Sequence, residues 1–397
     1  MSKVLLSVVT GNTPHVRGVA VDHMLRAAPG AVVLAVSIQH RDGAYPAVQR
    51  FISGGDARQQ TAAPLSATGD PAVILRQDLL ALRRTTGAPH VVLALPAEFD
   101  VLPFLTELWR TRIGSSSLAD HYEPAPLLVG VDPAPFMADI GCVHRAAPLW
   151  GGDGRTDPLT PAEAAARQVE AADALIVPVA ANGAGERTEV VAALLGHLNG
   201  QALLVASSHS DGPEAARLPS SLVRRAPRGT VDEWRERLEP VTVPPLGRGV
   251  HHGVESVLWR ARRPLHPERL ADVLATVMCG VVRSRGHLWL ASRPDSVVAW
   301  RSAGPHLELR EAGSWLETGD QRAWNAASPQ RRTLASWFWH DYYGERRNEI
   351  TFTGTGLDEQ RLRSALESAV LSDAELAQGR EAWVTHPDPL LSGGDPP

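Results

Sequence analysis

The sequence predicts an α/β protein: a doubly wound parallel sheet followed by a smaller α+β domain. Three observations carry that expectation. Over the first 210 residues, continuous apolar runs alternate with runs of helical spacing, as expected for strands buried on both faces and joined by crossover helices. From Ser207 to Arg248 the chain is dense in proline and arginine, which resists any continuous element. Beyond that stretch the composition changes, with eight of the eleven tryptophans at or after Trp259.

Val4 to Val9 opens the chain as an apolar strand, and Ala31 to Ile38, Val91 to Leu95, Leu127 to Val131, Ala174 to Val179 and Ala202 to Ala206 repeat its character. Helical periodicity fills the intervals at Val16 to Leu25, Ile74 to Leu82, Val101 to Leu108, Ala162 to Val169 and Val190 to Leu198. Functional turns are expected where such strands end. Residues 1–210 are assigned to the first domain, 211–252 to a linker with one short helix near Val231 to Leu238, 253–391 to the second domain and 392–397 to a tail.

In the second domain Val254 to Arg260 reads as a strand. His266 to Val277 reads as a helix with Leu270, Val273, Leu274 and Val277 on one face. Strands follow at Val281 to Ala291, Val297 to Trp300 and His306 to Leu309, then a helix at Ser328 to His340, a strand at Asn348 to Phe352 and a helix at Leu357 to Val370. That order predicts helices on one face of an antiparallel sheet.

Composition narrows the function. The chain is 44% hydrophobic and 21% charged with a formal net charge of −5, which excludes a disordered solvating chain and a uniformly basic nucleic-acid binder; no DNA partner is expected. No apolar run reaches the roughly 18 residues that cross a bilayer, and the first residues lack a secretory signal. No membrane partner is expected, and the chain is placed in the cytoplasm. Cys142 and Cys279 lie too far apart for a disulfide framework or a Cys-rich zinc module. Lys3 is the single lysine; arginine supplies every other fixed positive charge.

The second domain carries enough specific residues to suggest a family. The run Ser256-Val-Leu-Trp-Arg-Ala-Arg-Arg-Pro-Leu-His-Pro-Glu-Arg-Leu270, then Gly280-Val-Val-Arg-Ser-Arg-Gly-His-Leu-Trp-Leu-Ala-Ser-Arg-Pro-Asp295, resembles the C-terminal domain of CobW-type proteins. Gly313-Ser-Trp315, Gly344-Glu-Arg-Arg-Asn-Glu349, Gly356-Leu-Asp358 and Leu371-Ser-Asp-Ala-Glu375 extend the resemblance over residues 253 to 391. Such proteins are P-loop GTPases, many of them metal chaperones. The resemblance therefore implies a P-loop-GTPase-like first domain, whose phosphate loop needs spaced glycines, a lysine for the β/γ charge and a hydroxyl for Mg²⁺.

The corresponding turn, Val9-Thr-Gly-Asn-Thr-Pro-His-Val-Arg17, has one glycine and no lysine. Gly11, Asn12, Thr13, Pro14, His15 and Arg17 thus form a degenerate nucleotide-binding turn: Arg17 is a planar substitute for a point charge, and Pro14 removes an amide donor. The family's metal-binding cysteines should precede the helix marked by Leu75-Arg-Gln-Asp-Leu79, yet Leu65 to Ala72 contains none. The guanine-reading motif is replaced by Pro178-Val-Ala-Ala-Asn-Gly183, and Glu98 is the remaining candidate carboxylate near the strand end at Leu95.

Within the family the chain looks most similar to the ribosome hibernation factor-recruiting GTPases, which implies a partner at the small ribosomal subunit or a hibernation factor. The expected function is therefore a binding protein without catalytic residues, metal ligands or cofactors. The alternative is a working GTPase or zinc chaperone that binds GTP with Mg²⁺, or zinc, through atypical ligands such as Asn12, Thr13, His15 and Arg17.

Arg262, Arg263, Arg283, Arg285 and Arg293 are the candidate contacts to RNA or an acidic partner, because arginine forks onto phosphates and stacks on bases. Trp259, Trp289, Trp300, Trp315, Trp337 and Trp339 are read as core, with Trp337 or Trp339 the exception since one helix cannot point both inward. His251 and His252 are read as linker histidines, Cys279 as buried packing, and His266-Pro-Glu268 as a helix start.

Overall fold

The computed structural model describes residues 2–39, 45–54, 65–111, 117–142, 159–179, 185–208, 220–243, 245, 247, 249–317 and 320–391. The chain divides into two units, Met1–Arg235 and Glu236–Pro397. Part of the expected linker, residues 211–219, 244, 246 and 248, and the tail at 392–397 lie outside the described residues.

The first unit runs β1 (Val4–Gly11), α1 (Pro14–Ala27), β2 (Val32–Gln39), β3 (Ala47–Gly54), β4 (Leu65–Thr68), α2 (Pro71–Thr85), β5 (His90–Ala94), α3 (Val101–Leu108), α4 (Leu118–His121), β6 (Tyr122–Pro124), β7 (Leu128–Gly130), α5 (Pro133–Ile140), α6 (Pro161–Ala171), β8 (Ala174–Val179), α7 (Glu186–Leu198) and β9 (Leu203–Ser208). Strand order is β4-β3-β2-β5-β1-β7-β8-β9, with β6 beside β1. The pairs from β2–β5 through β8–β9 are parallel, whereas β2–β3 and β3–β4 are antiparallel.

A two-residue device opens four of these helices. Thr13-Pro14, Asp70-Pro71, Asp132-Pro133 and Thr160-Pro161 each place an oxygen that accepts a first-turn amide ahead of a proline at the first helical position. The cap satisfies an orphan N–H and the proline supplies a preset φ where no donor is needed. Helix α1 covers one face of the sheet, where Ala20 and Met24 pack with Val9, Val33, Val92, Ala94, Leu128, Ile176 and Val205.

The antiparallel extension β3–β4 is absent from the sequence reading, because Gln49, Arg50 and Ser53 interrupt its apolar residues. Arg50 is nonetheless buried, and its Nε lies 2.9 Å from a carboxylate oxygen of Asp78 on α2. Burial raises the Asp78 pKa while Arg50 lowers it in opposition. The acid of the Arg-Gln-Asp-Leu segment therefore anchors β3, the strand next to the sheet edge.

Helix α8 (Thr230–Leu238) spans the boundary between the units. The second unit then runs β10 (Val254–Ala261), α9 (Pro267–Val277), β11 (Val281–Leu288), β12 (Ser296–Ala303), β13 (His306–Ser314), α10 (Gln321–Ala326), α11 (Pro329–Trp337), β14 (Asn348–Thr355), α12 (Glu359–Ala369), α13 (Asp373–Ala377) and α14 (Arg380–Trp383). Its sheet is antiparallel throughout in the order β10-β14-β11-β12-β13.

Alternation along the strands sorts apolar from polar residues. Val257, Trp259, Leu288, Val298, Trp300, Ile350 and Phe352 form a core with Leu270 and Val277 of α9 and Leu362, Leu366 and Ala369 of α12. Trp300 buries its ring and still satisfies its donor, Nε1–H to Ser284 Oγ at 2.7 Å. Trp259, Trp289, Trp300 and Trp315 are buried, while Trp337 at the end of α11 is 77% exposed.

Candidate functional site

The turn at the carboxyl end of β1 is tight. The strand ends at Gly11 and α1 begins at Pro14, leaving Asn12 and Thr13 between them. Asn12 clamps this turn to the end of β7: its Nδ2 donates to Asp132 O at 3.0 Å, and its Oδ1 accepts from Asp132 N at 2.8 Å. Its backbone N–H donates to Gly130 O at 3.2 Å. Thr13 Oγ1 accepts from Val16 N at 3.3 Å, and the Thr13 carbonyl accepts from Arg17 N at 3.1 Å.

Arg17 is directed to β2, where its Nη1 donates to Val36 O at 3.3 Å. Burial lowers the pKa of its guanidinium, and the charge of Glu98 raises it in partial compensation. His15 is exposed on the first turn of α1, and Thr10 Oγ1 is buried without a hydrogen-bond partner.

These residues do not fit a lysine-type phosphate loop. A phosphate cradle needs several amides pointing at empty space, but those of Asn12, Val16 and Arg17 all meet oxygens of the chain itself. A Cβ on Gly11 would stand 3.0 Å from Arg17 N and 3.1 Å from Gly130 O, so this glycine serves a close packing of backbone on backbone. Asn12→Ala removes both side-chain bonds and leaves the Asp132 amide without its acceptor. It should lower the unfolding free energy of the first unit by about 1–3 kcal/mol, read as a shift in urea midpoint.

The sequence-predicted site is brought together only in part. Gly11, Asn12, Thr13, Pro14, His15 and Arg17 share the turn, with Glu98 close enough to act on Arg17. Asn182 and Gly183 of the guanine-motif position lie outside the described residues. Asp132 was missed; its signal was an Asp-Pro helix start directly after an apolar strand. A cleft of about 670 Å³ lies between α5 and α7, lined by Ala134, Met137, Ala138, Glu186, Arg187 and Val190.

The arginines proposed as an interaction patch are largely engaged within the protein. Arg283 is buried and donates to Ser302 O at 3.0 Å. Arg263 pairs with Asp373 at 2.6 Å, and Arg293 with Glu311 and, at 3.1 Å, Asp388. Arg262 donates to Phe338 O at 2.5 Å, and Arg285 stands opposite Arg301 in the β11–β12 ladder. Folding brings carboxylates to these cations from far away in sequence, Asp373 from α13, Glu311 from β13 and Asp388 from beyond α14, and a local charge count does not register them.

His251 and His252 form a tight turn closed by reciprocal bonds between His251 and Val254, with His252 at φ +49°. Cys279 is exposed, contrary to expectation, because it follows the end of α9 and precedes a left-handed Gly280 at φ +77°. Among the described residues no three or more His, Cys, Asp or Glu side chains gather as a metal cage, and no helix is long and apolar enough to cross a membrane.

A mostly parallel α/β unit is followed by an antiparallel-sheet unit, and residues 254–370 of the latter match the family described as "Cobalamin synthesis protein cobW C-terminal domain". The chain is 29% identical over 328 residues to the "Zinc chaperone Rv0106" of Mycobacterium tuberculosis, covering 81% of this chain and 78% of that one. It is 30% identical over 209 residues to the "Zinc-regulated GTPase metalloprotein activator 1" of Dictyostelium discoideum, covering 52% of this chain but only 43% of that protein. The solved Zn(II)-bound YjiA GTPase from E. coli aligns over 94% of this chain and 100% of its own at 14% identity, with a TM-score of 0.37.

The two relatives matched by sequence, from M. tuberculosis and D. discoideum, correct one expectation. Their names refer to zinc and GTPase function, which overturns the reading as a ribosome or hibernation-factor binder without zinc or GTP chemistry.

Proposed function

We propose that this protein is a zinc chaperone on the CobW plan, with guanine nucleotide engaged through atypical ligands in place of a lysine-bearing loop. The observation that carries the reading is the similarity to the mycobacterial zinc chaperone. Its 328 aligned residues exceed the 235 of the longer unit, so the match includes parts of both. Thr13, His15 and Arg17 are the ligands the turn has to offer; Asn12 is occupied by Asp132.

Two measurements on the purified chain test this. In competition with a chromophoric chelator of about micromolar affinity, the chain should retain about one zinc ion; failure to retain any refutes the chaperone reading. GTP titration with Mg²⁺ should give saturable binding that weakens about tenfold or more in Arg17→Ala. Equal affinity in that variant removes Arg17 from the ligand set.

A further inference from the structure

The last described residues, 384–391, leave α14 through three backbone bonds, Val384 N to Arg380 O, Thr385 N to Ala382 O and His386 N to Trp383 O at 3.2 Å each, beyond which Pro387 and Pro389 donate none. Side chains hold this strap. Asp388 accepts from Ser292 Oγ at 2.8 Å and from Arg293 Nε at 3.1 Å, and its other oxygen accepts the Leu390 and Leu391 amides at 3.1 Å each. Leu390 and Leu391 pack on the main core of the unit. Between that anchor and α14, His386 lays its ring against His266, the residue that precedes α9, with centroids 4.3 Å apart and planes tilted by 48°.

Two atoms in this contact are unusual. Nδ1 of His266 and Nε2 of His386 are both buried and neither has a hydrogen-bond partner. A neutral imidazole tolerates one such nitrogen as an unused lone pair. A protonated ring carries a donor on each nitrogen and a full charge, so here it would bury an unanswered N–H beside a second ring.

We propose that this ring pair is an acid-sensitive latch: with the His266 imidazole neutral the strap closes on the core of the second unit, and proton uptake by His266 releases it. The surrounding charges are mixed. Arg269 of α9 and His386 on the strap oppose a charge on His266, while Glu268 of α9 and Glu375 of α13 favour it. Glu375 is already engaged, accepting from Arg269 Nη2 at 2.9 Å and from Ser372. Arg293 lies beyond, paired with Asp388 and Glu311. Burial is the largest influence, and it lowers the pKa of His266.

The sign follows. The closed strap prefers the neutral ring, so closure is complete above the ordinary histidine value of about 6.5 and weakens as pH falls through it. Each unit of difference between closed and open pKa is about a tenfold change in the closing equilibrium. This inference stands apart from the zinc reading, since neither its residues nor its readout involve metal or nucleotide.

Hydrogen exchange of the full chain by mass spectrometry, expressed as protection factors to remove the intrinsic pH dependence, tests the latch. Protection of 384–391 should fall about tenfold between about pH 7.5 and about pH 5.5, while that of β14 stays constant. In His266→Asn and His386→Asn the strap should lose this pH dependence. Equal protection at both pH values in the unsubstituted chain overturns the proposal. So does an undiminished fall in both variants, which would place the sensing group elsewhere.

Discussion

Glu345→Ala should destabilise the second unit by about 3–5 kcal/mol, the cost of breaking a buried ion pair from one side. Glu345 is fully buried just before β14, and both its oxygens meet Arg331 of α11, whose side chain is only 7% exposed. One of these oxygens also accepts the Leu316 amide, which fixes the chain after β13. Removing the carboxylate strands a guanidinium and a backbone donor together. Glu349, the neighbouring buried carboxylate, is already paired with Arg347 at 3.1 Å and with Arg260 at 2.5 Å.

His287 shows how cationic this region is. It is buried with neither ring nitrogen bonded, and burial together with Arg347, Arg331 and Arg260 pushes its pKa well below the usual histidine value. A neutral imidazole is what lets three arginines sit nearby. In Glu345→Ala the tryptophan fluorescence transition in urea, dominated by the eight tryptophans from Trp259 onward, should move to lower denaturant with its slope unchanged. An unmoved transition means that water reaches Arg331 and the pair contributes little.

The sheet and helix pattern of both units was legible because apolar runs and periodicity are local. Val4 to Val9 and Leu270 to Val277 declare their partners' character without naming those partners. Strand β3 and the edge strand β4 were hidden because they are held by the β2–β3 and β3–β4 ladders and by the Arg50–Asp78 contact, none of which leaves an apolar run. At the site, the missing lysine was visible, but the Asn12–Asp132 clamp was not, since its members are 120 residues apart. The pairings of the candidate arginines were hidden for the same reason. Arg263 meets Asp373 and Arg293 meets Asp388 only after folding, so a count over consecutive residues overstated the free charge.

Gly130→Ala should be the most damaging single methyl in the first unit, lowering its stability by about 3 kcal/mol, the upper end of ordinary overpacking. Gly130 ends β7 opposite Gly11 of β1, and a Cβ there would lie 2.5 Å from Val16 O, 2.8 Å from Val16 C and 3.0 Å from Val16 Cβ. Two of those three atoms are helix backbone, so no rotamer change relieves the clash; α1 itself must lift. Lifting α1 pulls Asn12 from Asp132 and Thr13 from its capping position, so stability and the geometry of the turn should fail together. A thermal unfolding midpoint equal to that of the unsubstituted chain would mean that α1 rests more loosely on β7 than these distances state.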